Sequence, residues 1–314
     1  MSIKRKNDIS GNDLGFGNKA TVNNQRILKR DGKSNIRRKG LSFFRTSDAY
    51  NTLITMSWSK FILLILIAYL MINTLFAGLY VWIGIENLTG ANSTNKTDQF
   101  FDAFFFSAQT ISTVGYGHIS PRGMMASSLA AFESMLGLLA FALATGLLYG
   151  RFSRPSAKLK YSENMIVAPY QDGKGLMFRL ANYRSTQLVE IEVQVLLAIN
   201  EDDHGKIISR FFPLELERKK ISLLTLSWTV VHPIDEKSQI NGLTAEDLDK
   251  GDAEFLVMIK AFDDTFSQTV HSRTSYQYEE IIWDAKFRPV IETDEDGILT
   301  LDMAKINAFE LVSS

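Results

Sequence analysis

Between Ile111 and Gly123 the chain reads ISTVGYGHISPRG, two glycines and a tyrosine set between long apolar runs. Gly115 and Gly117 can take backbone angles closed to other residues, so the carbonyls of Thr113, Val114, Gly115 and Tyr116 can all turn to one side. A row of carbonyl oxygens replaces the water around a cation, so the chemistry these residues offer is coordination by backbone. A Gly-rich turn is the alternative reading of the same five letters, and the flanking elements must decide between them. Other chemistry is poorly provided for. The four histidines (His118, His204, His232 and His271) are scattered with no ligand spacing, and the absence of cysteine excludes disulfides and Cys-ligated metals. His118 reads as an exposed imidazole just past the glycines, and His232, in VVHPID, as structural. No nucleophile, base or metal cluster points to an enzyme or to a cofactor.

The flanks are apolar enough for lipid. No charged residue occurs from Phe61 to Ile85, a run of 25, and the stretch from Gly123 to Gly150 carries only Glu133. A bilayer core needs about 20 apolar residues as helix, so both runs are expected to span it. Charge then sets the orientation. Residues 1–57 hold twelve Lys or Arg against four Asp, whereas the connection 86–122 has only Lys96 and Arg122 as bases. The positive-inside rule puts both termini in the cytoplasm. Residues 155–314 hold 17 basic and 27 acidic residues, an acidity that either concentrates cations or simply keeps the domain soluble.

Further elements follow from composition and period. Residues 1–40, polar and rich in Gly, Asn and bases, read as a disordered basic arm. Residues 41–57 read as an interfacial helix lying along the cytoplasmic face, ahead of spans at about 58–84 and 123–152. The segment ENLTGANSTNKTD is a polar turret. A Phe-rich helix over about 98–111 is only half a bilayer long, so together with the filter at 113–117 it must be re-entrant. Its C-terminal dipole then favours cations. Beyond Pro155 the period changes: QLVEIEVQVLLAI alternates apolar and polar residues, and several similar runs without long helices suggest an antiparallel β-sandwich over 155–314, coupled to the inner helices through Pro155 and the interfacial helix.

Two spans, a Phe-rich re-entrant helix, TVGYG and a cytoplasmic sandwich together resemble the inward-rectifier potassium channels, in particular their prokaryotic branch. TVGYG is itself a known potassium-filter sequence. The likeness covers roughly residues 42–310 and is carried also by FFFSAQTISTVGYG, RFSRPSAK, NMIVAPYQDGKGLMFRLANYR, VVHPIDEKS and SYQYEEIIWDAKFRPV. It implies a membrane α-helical pore, made of two transmembrane helices with a re-entrant pore helix and filter, joined to a C-terminal cytoplasmic immunoglobulin-like β-sandwich. It further implies a homotetramer in a bacterial inner membrane that conducts K+ passively and gates without a voltage sensor. Four copies are also what geometry asks for, because one filter strand supplies oxygens on one side of an ion only. A membrane-tethered sensor or scaffold with a non-conducting pore, or a poorly selective cation channel, are the competing readings.

The resemblance also assigns residues. K+ passes rings formed by Thr113, Val114, Gly115 and Tyr116, with Gly117 completing the filter. Gln109 stands where relatives commonly have a pore-helix Glu, so that with Thr110 it supports the filter through its amide. Glu133, the one acid in the second span, is expected behind the filter near the pore helix, partly protonated and acting as a brace, with selectivity lost in Glu133→Gln. Ser134, Leu138, Phe141, Thr145 and Tyr149 share one helix face by their spacing, and by resemblance that face lines the pore. Phe141 replaces the acid that holds magnesium or polyamine blockers in many relatives, and Tyr149 stands at the constriction. Gly137 and Gly146 are candidate hinges, or sites of close packing. Arg151, Arg154 and Lys158 follow the second span where phosphoinositide or another anionic lipid would meet them, with a stop-transfer role as the alternative. No nucleic acid is implied as a partner.

Overall fold

The computed structural model describes residues 26–35, 46–153, 157–184, 186–204, 206–293 and 296–312. The chain divides into two compact units, Gly40–Arg154 and a second made of Met1–Lys39 with Pro155–Ser314. Residues 1–25 and 36–40 of the predicted arm, the first residues (41–45) of the predicted interfacial helix, Arg154 and the expected coupling residue Pro155 lie outside the described residues.

The first unit is helical. α1 (Thr46–Thr55) is followed by α2 (Trp58–Ile83), whose 26 residues are long and apolar enough to cross a membrane. α3 (Lys96–Ile111) has 16 residues, or about 24 Å at 1.5 Å per residue, too short to cross. Asn95 caps it by accepting from the Thr97 amide at 3.3 Å, and Asp98 complements the dipole in the first turn. α4 (Gly123–Phe152) is the second helix of spanning length. A small core of Phe76, Ala77, Tyr80, Leu88, Ala103 and Phe106 joins α2 to α3, with Tyr80 and Phe106 edge to face at 5.0 Å. Ile62, Leu66 and Leu70 along α2 stay exposed, as a lipid-facing helix requires.

The second unit is a sandwich. Its strands are β3 (Leu159–Tyr161), β4 (Met165–Tyr170), β5 (Gly173–Asn182), β6 (Leu188–Asp203), β7 (Lys206–Leu214), β8 (Lys220–Leu224), β9 (Ser227–Ile234), β10 (Glu254–Asp263), β11 (Gln268–Gln277), β12 (Ile281–Trp283), β13 (Ala285–Phe287), β14 (Ile291–Thr293), β15 (Leu299–Leu301) and β16 (Phe309–Leu311), after β1 (Leu88–Thr89) and β2 (Ser120–Pro121) of the first unit. One sheet runs β11-β10-β6-β7 with β8 also on β6; the other runs β12-β4-β5-β3 with β9 also on β5. Between them lie Phe178, Leu180, Ile191, Val193, Leu197 and Phe255, all essentially buried. One pairing departs from the antiparallel expectation: β12 runs parallel to β4, Ile281 opposite Met165, because the chain passes from β11 in one sheet to join the other. The strict alternation expected in β6 is also interrupted, since Glu190 has φ 50° and the register with β10 shifts there by a bulge.

A larger correction concerns the arm. Residues 26–35, expected to be disordered, form a tight turn closed by a bridge between Leu28 and Ser34. Leu28 is buried against Leu196, Ala198 and Leu256 on the outer face of β6 and β10. The Glu254 carboxylate accepts from the amides of Ile27 (2.7 Å) and Leu28 (3.2 Å), and burial pushes its pKa up. Arg26 and Arg30 both pair with Glu280. One buried apolar side chain, a few backbone contacts and two charge pairs hold this turn, which is too little to leave a period in the arm itself.

His232 on β9 shows how buried polar groups are handled. Its Nδ1 lies 2.5 Å from the Glu215 carbonyl and its Nε2 2.8 Å from the Ser238 hydroxyl. A carbonyl only accepts, so Nδ1 carries the hydrogen and Nε2 accepts from Ser238. Burial holds the pKa below the ordinary 6.5. Below pH 6.5 the unfolded chain takes up a proton that the folded domain refuses, so stability is full above that pH and declines toward the lowered folded value. We expect thermal unfolding of the full chain in detergent to shift to lower temperature between about pH 7.5 and about pH 5.5, with a shallower slope in His232→Gln. Equal slopes in the two proteins would show that His232 titrates without linkage to folding.

Candidate functional site

The site begins where α3 ends. Thr113 has φ 60°, Gly115 φ 55° and Gly117 φ 78°, while Val114 and Tyr116 are not in the left-handed region. Backbone whose φ alternates in sign does not flip successive peptide planes as a β-strand does, so carbonyls gather on one side and amides on the other. The glycines make two of these positions easy. The third, Thr113, is β-branched, and a positive φ there costs about 1–2 kcal/mol. Two hydrogen bonds hold it: Thr113 N to the Thr110 carbonyl at 3.0 Å and Gly115 N to the Gln109 carbonyl at 3.2 Å. Nothing in the letters TVGYG announces a left-handed threonine. Val114 and Tyr116 leave their side chains exposed on a single chain.

Past the filter the backbone is pinned to the turret. β1 and β2 pair antiparallel, Leu88 with Pro121 and Thr89 with Ser120, and Arg122 N donates to the Asn87 carbonyl at 2.7 Å. Gly90, at φ 93°, lies so close to the strand leaving the filter that a Cβ there would overlap the His118 carbonyl. From sequence this turret reads as an unpatterned loop, although its lone glycine is a usable sign.

Behind the filter the named support residues are placed unevenly. The Thr110 hydroxyl bonds back to the Phe106 carbonyl at 2.7 Å, so it serves the pore helix itself. The Gln109 Oε1 is buried without a hydrogen-bond partner within the single chain. Glu133 is fully buried and accepts from Tyr80 Oη at 2.8 Å and contacts Ser107 Oγ, which in turn lies 3.0 Å from Asn73 Oδ1. Sequence reasoning misses Tyr80, Ser107 and Asn73, because a polar residue in an apolar run carries no mark of its partner. Gly137, one turn beyond Glu133, is buried, and a Cβ on it would overlap the Ile111 carbonyl at the end of α3. Gly146 has nothing within 4 Å of the corresponding position. The two candidate hinges are therefore physically different.

The expected lining residues Leu138, Phe141, Thr145 and Tyr149 leave α4 with Leu138, Phe141 and Tyr149 widely exposed and Ser134 half-buried, and the Thr145 hydroxyl turns back to the Phe141 carbonyl at 2.9 Å. Of the bases, Lys158 is exposed, but Arg151 is differently engaged. Its guanidinium donates to the carbonyls of Leu53 (2.5 Å) and Met56 (2.7 Å) and stacks on Trp58 and Phe61 at 4.5 and 4.4 Å. The sequence offers Arg151 to lipid headgroups or as a stop-transfer base, and within the chain it donates to carbonyls left open at the end of α1.

Comparison with known proteins gives the site its context. Residues 61–154 match the ion channel family model, and residues 159–314 match the inward rectifier potassium channel C-terminal domain. The inward rectifier potassium channel Kirbac3.1 of Paramagnetospirillum magnetotacticum is 41% identical over 295 residues, 93% of this chain and 98% of that protein. The G protein-activated inward rectifier potassium channel 3 of Mus musculus and that of Rattus norvegicus are each 25% identical over 311 residues, covering 90% of this chain and 77% of the relative. These relatives are membrane ion channels and not enzymes. With the two spanning helices and the carbonyl-bearing loop already in place, the match over nearly the whole length shows that the chain belongs to the inward rectifier potassium channel family.

Proposed function

We propose that four copies of the chain assemble around the filter and pass K+ through rings of carbonyl oxygens from Thr113, Val114, Gly115 and Tyr116, with Gly117 closing the segment. The observation that carries this reading is the alternation of φ from Thr113 to Gly117, which spends strain on a backbone arrangement of no use to a single chain. A lone strand coordinates an ion from one side; four complete the shell. The exposed Val114 and Tyr116 side chains and the unpartnered Gln109 amide oxygen are groups that neighbouring copies would cover. Permeation needs no cofactor, and K+ is the permeant ion.

The pore closes where Leu138, Phe141 and Tyr149 converge on the axis, below Ser134 and alongside Thr145. Phe141 offers no charge to magnesium or polyamines, so block by those cations is weak. Gly146, with open space around it, is the bending point, and Gly137 serves close packing against α3. Thr110 and Gln109 hold the filter through their backbone carbonyls, and Glu133 braces the pore helix from behind. Anionic lipid, phosphoinositide included, modulates the channel through the bases after the second span, among which Lys158 is exposed while Arg151 ties α4 to α1. Both termini lie in the cytoplasm of a bacterial inner membrane, as the basic arm and the base-poor turret loop require.

Rubidium uptake into liposomes tests the central reading. The full chain is expected to give barium-sensitive uptake that Gly115→Asp abolishes. An absence of barium-sensitive flux in both neutral and anionic lipid would favour a tethered scaffold, and equal uptake in competing sodium a poorly selective pore. The glycines separate by the same assay. Gly137→Ala forces a methyl into the Ile111 carbonyl and is expected to lower flux or selectivity at least about fivefold, given that overpacking costs typically about 1–3 kcal/mol. Gly146→Ala fits without contact and is expected to conduct, with altered opening. Similar loss in both variants would contradict the assignment of packing to one and bending to the other.

A further inference from the structure

Asn73, Ser107 and Glu133 have no exposed surface and Tyr80 almost none, and they come from three helices, α2, α3 and α4. Four polar contacts link them. Asn73 Nδ2 lies 2.7 Å from the Tyr69 carbonyl, Asn73 Oδ1 lies 3.0 Å from Ser107 Oγ, Ser107 Oγ touches Glu133 Oε1, and Tyr80 Oη lies 2.8 Å from Glu133 Oε2. Each contact needs one hydrogen, and the donors can be counted.

The Tyr69 carbonyl can only accept, so Asn73 must turn its NH2 toward it and its Oδ1 toward Ser107. That Oδ1 also only accepts. The single hydroxyl hydrogen of Ser107 can serve Asn73 or Glu133 and not both; used on Asn73, it leaves Ser107 meeting Glu133 with a lone pair, and used on Glu133, it leaves the same misfit at Asn73. Tyr80 gives its own hydrogen to Oε2. A carboxylate has none to give, so an ionised Glu133 would set two lone pairs against each other at a fully buried contact. Flipping the Asn73 amide does not help, because it then faces the Tyr69 carbonyl with oxygen. Among the described residues the side chains bonded to Glu133 are two hydroxyls and no cation.

We infer that Glu133 carries a proton on Oε1, completing one directed line of hydrogen bonds from Tyr80 through Glu133, Ser107 and Asn73 to the Tyr69 carbonyl, and that Asn73, Tyr80 and Ser107 are thereby positioning residues for the filter. The positioning role rests on reading Glu133 as the brace of the pore helix. The line runs one way, and every member is satisfied. It also reverses the sequence expectation for the conservative variant. In Glu133→Gln the new amide nitrogen would donate to Ser107 while the amide oxygen accepts from Tyr80, whereas an aliphatic side chain can do neither.

The test uses the full chain in liposomes, with K+ over Na+ selectivity from competitive rubidium uptake. Glu133→Gln is expected to stay within about twofold of the parent, and Glu133→Leu, which strands Ser107 and Tyr80, to lose at least about fivefold. Infrared spectra of the parent chain with carbon-13 glutamate are expected to show an isotope-shifted protonated-carboxyl stretch at neutral pH, missing from Glu133→Gln. The parent spectrum stands even where a variant fails to fold. Absence of that stretch overturns the proton, and so does loss of selectivity in a folded Glu133→Gln channel. The stretch together with parental selectivity in Glu133→Leu keeps the proton and overturns the brace reading instead.

Discussion

A backbone that stops being helical at membrane depth loses its internal hydrogen bonds, and its carbonyls must find another partner. In this chain the segment after α3 meets that demand by alternating the sign of φ over Thr113, Gly115 and Gly117. Oxygens collected in this way satisfy one another poorly and a cation well. On the proposed reading such a segment is held open by the cation it passes, and the surrounding protein must keep the strand from relaxing. The rest of the first unit can be understood as answers to that requirement: a half-length helix that delivers the strand, a turret that grips its far end through β1 and β2, and two full-length helices that pack against the half-length one.

Much of this is legible in the letters, for reasons that differ by element. The spans are visible because lipid demands an uninterrupted apolar run, a constraint read by counting. The half-length helix is visible from its length and its place before the glycines. The sandwich shows in the alternation of β6, and the structure explains where the alternation fails. Val195 to Ile199 are all apolar because Leu196 and Ala198, on the outer face, are covered by Leu28, so the run holds a sign that something else packs there. The arm itself gives no such sign, being anchored by a single leucine and by charge pairs that composition assigns to solvent. Asn73, Tyr80 and Ser107 are illegible for a related reason: a polar residue in a membrane run shows that a partner exists and not which one.

Arg151 illustrates how a residue type misleads when its position is ambiguous. A base just after a span is as good a headgroup ligand as a stop-transfer signal, and both readings treat it as facing outward. Here the last carbonyls of α1 offer partial negative charge at short range, and Trp58 and Phe61 offer their faces, so the guanidinium is taken up by the protein. Tyr50 strengthens the same junction by packing against Gly150, where a side chain would meet its hydroxyl at 2.9 Å. The end of α4 is consequently tied to α1 by a charge and a steric fit, and to the start of α2 by two rings. Motion of either helix must carry the other or break these contacts together.

The grip on the pore helix is divided in a parallel way. Ser107 and Ile111 are one turn apart on α3, and Glu133 and Gly137 are one turn apart on α4, so each helix presents a matched pair on a single face. The upper pair meets through a hydrogen bond and the lower through bare backbone, Gly137 against the Ile111 carbonyl. A hydrogen bond fixes direction and tolerates a little distance; a glycine contact fixes distance and tolerates a little rotation. Neither alone would set both the height and the turn of α3, and the Thr113–Gly117 segment begins two residues after Ile111, where any error in either would pass straight into the proposed carbonyl rings. This division explains why the stretch from Gly123 to Gly150, otherwise free of charge, keeps one acid, and why the glycine one turn below it is packed while Gly146 is left in open space.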